Sequence, residues 1–127
     1  MNILGIDFGQ KRIGLAWVQE GIDIVFPYGK IEEKNSEKAV EKIVDFVKKE
    51  HIDKIVIGLP LGLNGEENEN TQRIRSFAQN IGDMVSVEII FMDERFTSHQ
   101  ADNTLGDASR DEKSAMIILQ SYLEKQN

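Results

Sequence analysis

Apolar and polar positions along the chain fall into blocks, and the period of each block predicts its element. Asn2 to Asp7 is a short apolar run carrying Ile3, Leu4 and Ile6. Gly9-Gln10-Lys11 reads as a turn, Arg12 to Val18 as a second run, and Ile22 to Tyr28 as a third after Glu20-Gly21. This spacing predicts a meander of three antiparallel strands. From Ser36 the period becomes helical, and Ala39, Val40, Ile43, Val44 and Val47 form one stripe. The other face carries Lys34–Glu37, Lys38–Glu41 and Lys42–Asp45 at i, i+3, which reads as a solvated face. Lys54 to Leu59 is a strand apolar enough for burial on both sides. A polar loop, Gly62 to Asn70, leads to a second helix marked by Ile74, Phe77, Ala78 and Ile81, with Thr71 as its candidate cap. Val85 to Met92 is a fifth strand. Two short helices follow, one starting near Thr97 or Ser98 and one near Ser109.

The element order is therefore βββαβαβαα. Crossovers through helices impose parallel neighbours and a right-handed path. The expected fold is α/β, a mixed five-stranded sheet in the order 3-2-1-4-5 with helices on both faces. Residues 1–127 suit a single domain. In such sheets functional groups gather at the carboxyl ends of the parallel strands. Those ends lie just after Ile6, Leu59 and Met92.

Composition narrows the class. Apolar residues make up 40% and charged residues 29%, which excludes a disordered chain or a collagen-like rod. The absence of cysteine excludes disulfides, zinc–thiolate sites and a thiol nucleophile. No apolar run approaches the roughly 18 residues of a membrane span. The opening Met1-Asn2-Ile3-Leu4-Gly5 lacks the basic region of a signal peptide, so a cytoplasmic location is expected. Acids outnumber bases 22 to 15, a net charge of −7. That balance argues against a protein that simply coats nucleic acid, but leaves room for a local basic site.

The predicted strand ends carry the chemistry. Asp7-Phe8-Gly9 follows the first strand, with Lys11, Arg12 and Gly14 close behind. Gly58-Leu59-Pro60 follows the fourth, and Asp93-Glu94-Arg95 the fifth. Asp111 opens the last helix. Clustered carboxylates, with no cysteine and only two histidines, suit a hard cation such as Mg²⁺ or Mn²⁺. Two such ions about 3.5–4 Å apart can activate water and stabilise the leaving oxygen in phosphodiester cleavage. Each acid also has a plainer reading. Asp7 can start a turn. Asp93 or Glu94 can pair with Arg95. Asp111 can be a first-turn acid, and Ser109 and Glu112 have capping-box spacing. Strand four separates the strands bearing Asp7 and Glu94 by roughly 10 Å. That gap favours the longer Glu94 over Asp93. All five arginines, Arg12, Arg73, Arg75, Arg95 and Arg110, lie in or just after these segments, as a phosphate-binding rim requires. His51 and His99 are isolated, and Trp17 reads as packing.

Taken in order, Gly5-Ile6-Asp7-Phe8-Gly9-Gln10-Lys11-Arg12-Ile13-Gly14-Leu15-Ala16, Gly58-Leu59-Pro60-Leu61, Asn64-Gly65, Asp93-Glu94-Arg95-Phe96-Thr97-Ser98 and Asp111 through Tyr122 resemble the YqgF (RuvX) family over nearly the whole chain. The resemblance implies an RNase H-like fold and a metal-dependent nuclease. Members are described as Holliday junction resolvases, by similarity to RuvC, and as nucleases maturing the 5′ end of pre-16S rRNA. Carried over, the catalytic and metal-binding acids are Asp7, Glu94 and Asp111, with Asp93 behind them. The implied cofactor is Mg²⁺ or Mn²⁺, two ions with substrate bound. The implied partner is nucleic acid, RNA ahead of DNA, and ribosomal precursor particles. The nucleic-acid contacts fall to Lys11, Arg12, Arg73, Arg75, Arg95 and Arg110. The chain departs from the family pattern at Gln100, where a glutamate is usual, and at Ser109, where a lysine is usual. Its loop between Ser98 and Asp111 is also shorter. These departures bear on substrate contacts more than on metal binding.

Two other classes compete. Asp7-Phe8-Gly9 also resembles the phosphate-binding hairpin of the actin and sugar-kinase superfamily. Those proteins hold nucleotide between two such domains, and 127 residues supply one. A catalytically inert binding module would keep the fold but has no need of three acids. No dimerisation element is visible, so a monomer or weak homodimer is expected.

Overall fold

The computed structural model describes residues 1–9, 12–22, 24–61, 65–93 and 110–126. Five strands, β1 (Asn2–Phe8), β2 (Ile13–Gln19), β3 (Val25–Ile31), β4 (Lys54–Leu59) and β5 (Glu88–Asp93), form one sheet in the order β3-β2-β1-β4-β5. The β1–β2 and β2–β3 pairs are antiparallel; β1–β4 and β4–β5 are parallel. The sheet order matches the expectation from sequence. Three helices are described: α1 (Ser36–Lys49), α2 (Glu69–Met84) and α3 (Arg110–Gln126). The helix expected near Thr97 lies outside the described residues. The last helix runs 17 residues, longer than its sequence pattern suggests.

Side-chain alternation divides the interior into two cores. Leu4 and Ile6 of β1, Ile13 and Leu15 of β2 and Ile55, Ile57 and Leu59 of β4 meet α1 and α2 on one face. Ile3, Ala16, Val18, Val56 and Met92 meet Ala115, Ile118, Leu119 and Tyr122 of α3 on the other. Burial from both sides explains why β1 and β4 read as nearly continuous apolar runs. The helix α1 stripe is buried as predicted, and Asn35 caps it by accepting the Glu37 and Lys38 N–H groups. On the polar face of α1, Lys42 pairs with Glu33 at 3.5 Å.

Close approach of α3 to the sheet rests on glycine. A Cβ added at Gly5 would lie 2.5 Å from Leu119 Cγ, so the strand must be bare there for the helix to seat. Among the described residues no helix is long and apolar enough to cross a membrane.

Candidate active site

Asp7 sits near the carboxyl end of the middle strand, half-buried. Its partner across the antiparallel ladder is Gly14. Directly opposed residues project to the same face, with Cα atoms about 4.5–5.5 Å apart. A Cβ at Gly14 would overlap the backbone carbonyl of Asp111. The first turn of α3 therefore rests on Gly14, immediately beside Asp7. Alternation from Ile3 puts Asp7 on the α3 face of the sheet, the face that Asp111 approaches. The structure thus brings two of the three sequence-predicted acids to one place. In parallel pairing, Ile6 is level with Ile57 and Ile57 with Phe91. One residue on, the row through Asp7 continues to Gly58 and Met92. Asp7 thus lies in a row between Gly14 and Gly58.

The fifth strand fixes the parity of its acids. Met92 is buried against α3, whereas Ile89 and Phe91 pack toward α1 and α2. Asp93 pairs with Leu59 and follows Ile89 and Phe91 in phase, so it lies on the α1–α2 face, across the sheet from Asp7. Glu94 lies outside the described residues. Among the described residues no group of three His, Cys, Asp or Glu side chains is placed to hold a metal ion. The pair present, Asp7 and Asp111, offers only oxygen donors at a partly exposed strand end. That set fits a hard cation, which takes one or two carboxylates and completes its shell with water and phosphate.

The cations distribute unevenly. Arg12 Nε lies 3.3 Å from Asp111 Oδ2, with half of its side chain exposed. Among the described residues it is the cation that the structure brings to Asp111. Arg73 donates to Asn70 Oδ1 at 2.8 Å and holds its guanidinium 5.3 Å from the centre of the Phe8 ring, on the α1–α2 side of the same strand end. Arg75 turns toward β5. It forks onto Glu67 at 2.6 and 2.9 Å and lies 4.8 Å over Phe91. The Glu67 carboxylate is held below the usual range by that hydrogen bond, and Arg75 is raised by it. Lys11, Arg95 and the Arg110 side chain lie outside the described residues. Trp17 stacks on Phe26 at 5.4 Å, which fits its reading as packing.

The sequence pattern gives no separate role to Phe8, Lys34, Ser76 or Asn80. All four line a cavity beside Arg12 and Arg73. They come from three elements distant in sequence, so only the folded chain assembles them.

A family model described as "RuvX: Holliday junction resolvase" matches residues 1–125. A protein of Sulfurihydrogenibium sp. (strain YO3AOP1) named "Putative pre-16S rRNA nuclease" is 42% identical, over 98% of this chain and 90% of its own. One of the same name from Dictyoglomus turgidum is 36% identical, over 98% of this chain and 94% of its own. Among solved structures, the fold is similar to RuvC of T. thermophilus in complex with Holliday junction substrate, with a TM-score of 0.62 at 12% identity over 98% and 96% of the two chains. It is similar also to the fowlpox virus Holliday junction resolvase, with a TM-score of 0.64 at 10% identity over the full length of both.

Proposed function

The chain belongs to the RuvX family, and from that premise we propose that it is a divalent-metal-dependent nuclease acting on structured nucleic acid, with the 5′ end of pre-16S rRNA as its substrate. The observation that carries this reading is the seating of Asp111 on Gly14, the ladder partner of Asp7. It sets two carboxylates side by side on a rigid central strand and a helix start, at the end of the sheet where such folds work. Asp7, Asp111 and Glu94 are the proposed ligands of Mg²⁺ or Mn²⁺, with Asp93 set back from them. When bound, the metal supplies an activated water and stabilises the leaving oxygen.

The chain's own residues supply the positioning. Asp7 is paired with Gly14 of β2, one residue beyond the part of β1 that pairs on both sides, which limits the drift a loop residue would have. Arg12 offsets the negative charge at Asp111 and presents a guanidinium to an incoming phosphate. The N-terminal end of α3 adds a partial positive charge at the same edge. Lys11, Arg73, Arg95 and Arg110 extend the phosphate-binding rim in this reading. Arg75 joins it only by leaving Glu67.

RNA is preferred over DNA because the relatives at 42% and 36% identity carry the rRNA name. The protein acts in the cytoplasm as a monomer or weak dimer, on precursor ribosomal RNA. The test is cleavage of labelled pre-rRNA leader and of a four-way DNA junction, with Mg²⁺ or Mn²⁺, by wild type beside Asp7→Asn. Wild type should cut the leader, and Asp7→Asn should be slower by at least about 100-fold. Equal cleavage by the two proteins would overturn the site. Faster cleavage of the junction would move the substrate to DNA.

A further inference from the structure

On the α1–α2 side of the strand end that carries Asp7 lies a cavity of about 250 Å³. Its floor is apolar, built by Phe8, Ile13, Ala39 and Phe77. Phe8 and Phe77 hold each other with ring centres 4.4 Å apart, so the floor is stiff. Three basic residues from three separate segments are part of the lining. Arg12 comes from the β1–β2 turn, Lys34 from the segment before α1, and Arg73 from α2. Arg73 is anchored there by Asn70 and the Phe8 ring. Ser76 and Asn80, one turn apart on α2, offer a hydroxyl and a carboxamide to the same space. The acid in the lining is Glu33. It accepts the Asn35 N–H at 3.2 Å and pairs with Lys42 at 3.5 Å. Among the described residues the lining holds three basic residues and one acid; Arg12 is paired with Asp111 and Glu33 with Lys42, which leaves Lys34 and Arg73 to make the pocket positive in a protein of net charge −7.

An apolar floor with a few convergent polar groups is the build of a small-ligand site, and this one falls just below the usual size range, which suits a single nucleotide unit rather than a larger ligand. The floor suits an aromatic plane, the amide and hydroxyl suit base edges, and the cations suit phosphate. Arg12 stands between this pocket and the acids, because the residue is part of the cavity lining and its side chain pairs with Asp111. A strand with its scissile phosphate at Asp7 and Asp111 can therefore turn around the end of β1 and enter the cavity. We propose that the cavity receives one unpaired nucleotide of the substrate strand, adjacent to the bond that is cut. The inference rests on the nuclease reading above and adds a requirement to it: the flank of the cut must be single-stranded.

The shared ligand chemistry is a nucleotide, which could come from the strand or from free nucleotide. Amide NMR of the full chain, titrated separately with inorganic phosphate, a nucleoside 5′-monophosphate and a single-stranded RNA trinucleotide, separates these sources. The trinucleotide should shift Ser36, Ala39, Ser76 and Asn80, binding at least about tenfold more tightly than the monophosphate. Ser76→Trp, an exposed position facing the cavity, should abolish those shifts. Asn80→Ala should weaken them with less risk to the helix. Binding of monophosphate but not trinucleotide would assign a free-nucleotide site and overturn the proposal. Phosphate matching the nucleotides would leave the base without a role, and shifts confined to Gly14 and Asp111 would leave the cavity without one; either result overturns it.

A cleavage arm checks the position. A single abasic nucleotide beside the cut should raise KM about tenfold with kcat within about a factor of two. It should add nothing further in Ser76→Trp, because the two changes remove one contact. An equal abasic penalty in both proteins overturns the proposal. Failure of the nuclease reading is distinguishable, since it would show as unchanged cleavage in Asp7→Asn whatever the NMR arm finds.

Discussion

At the scale of single residues, Gly14 does more for the proposed site than its lack of a side chain suggests. It is the surface on which the Asp111 backbone rests and the ladder partner of Asp7. Gly14→Ala forces either α3 or β2 to move, and overpacking of this kind costs about 1–3 kcal/mol. The expected outcome is a lower urea midpoint together with loss of cleavage, read by denaturation and by the leader assay. Arg12 behaves differently. Its pair with Asp111 is half exposed, and such pairs are worth about 0–1 kcal/mol. Arg12→Ala should leave the urea midpoint nearly unchanged. It should instead flatten the salt dependence of RNA binding, lowering the slope of log K against log salt by about 1. A large fall in stability with an unchanged slope would assign Arg12 to the scaffold.

At the scale of elements, α2 is held by a reciprocal cap rather than by the Thr71 cap its sequence suggests. Asn68 Oδ1 accepts the Thr71 N–H at 3.1 Å, and Thr71 Oγ1 accepts the Asn68 N–H at 2.7 Å. Thr71 is fully buried, so Thr71→Val leaves the Asn68 N–H without its partner at a cost of about 1–3 kcal/mol. Asn68→Ala should cost about 0.5–2 kcal/mol, and urea unfolding checks both. The same helix carries a pH-dependent tie. The hydrogen bond from Arg75 holds the Glu67 carboxyl below the ordinary carboxylate range, so this contribution is present above the unfolded carboxyl's range and lost as pH falls through the lower folded value. Glu67→Gln should therefore reduce the acid sensitivity of the urea midpoint and leave the alkaline side alone.

The boundary of α2 shows what a pattern can carry. The stripe of α1 and the apolar runs of β1 and β4 are legible because burial of fixed faces imposes a period on sequence. Edges are less legible. β3 begins at Val25, not Ile22, because Ile22 donates to the Gln19 carbonyl in a turn where Gly21 takes a φ of 102°. β5 begins at Glu88, not Val85, because Val85 still donates to Ile81 as the cap of α2. At the site, Asp7 is legible as a carboxylate on an apolar central strand. The seat at Gly14 is not, since it needs the β1–β2 register and the docking of a helix about a hundred residues away in sequence. The choice between Asp93 and Glu94 turns on the parity of a single residue. Met92 settles that parity for Asp93 by facing α3.

At the scale of the whole molecule, the net charge of −7 opposes any polyanion, and its distribution decides where nucleic acid can approach. Ten acids face six bases between Glu32 and Glu69, so much of that surface repels phosphate. The strand end at Asp7 differs, because Arg12, Lys34 and Arg73 gather around it. Three phosphate contacts on a single strand give a slope of about −2 in log K against log salt. Raising salt from 50 to 200 mM should then weaken binding about 20-fold. The proposed carboxylates add their own repulsion unless a divalent cation offsets it. Removing divalent metal with a chelator should therefore weaken binding of a labelled single-stranded RNA by at least about tenfold, read by fluorescence anisotropy at fixed ionic strength. Asp7→Asn, with one carboxylate fewer, should lose less affinity than wild type on chelation. Affinity that is equal with and without metal, or insensitive to salt, would mean that the strand does not lie over the acids, and the site would have to be sought elsewhere on the molecule.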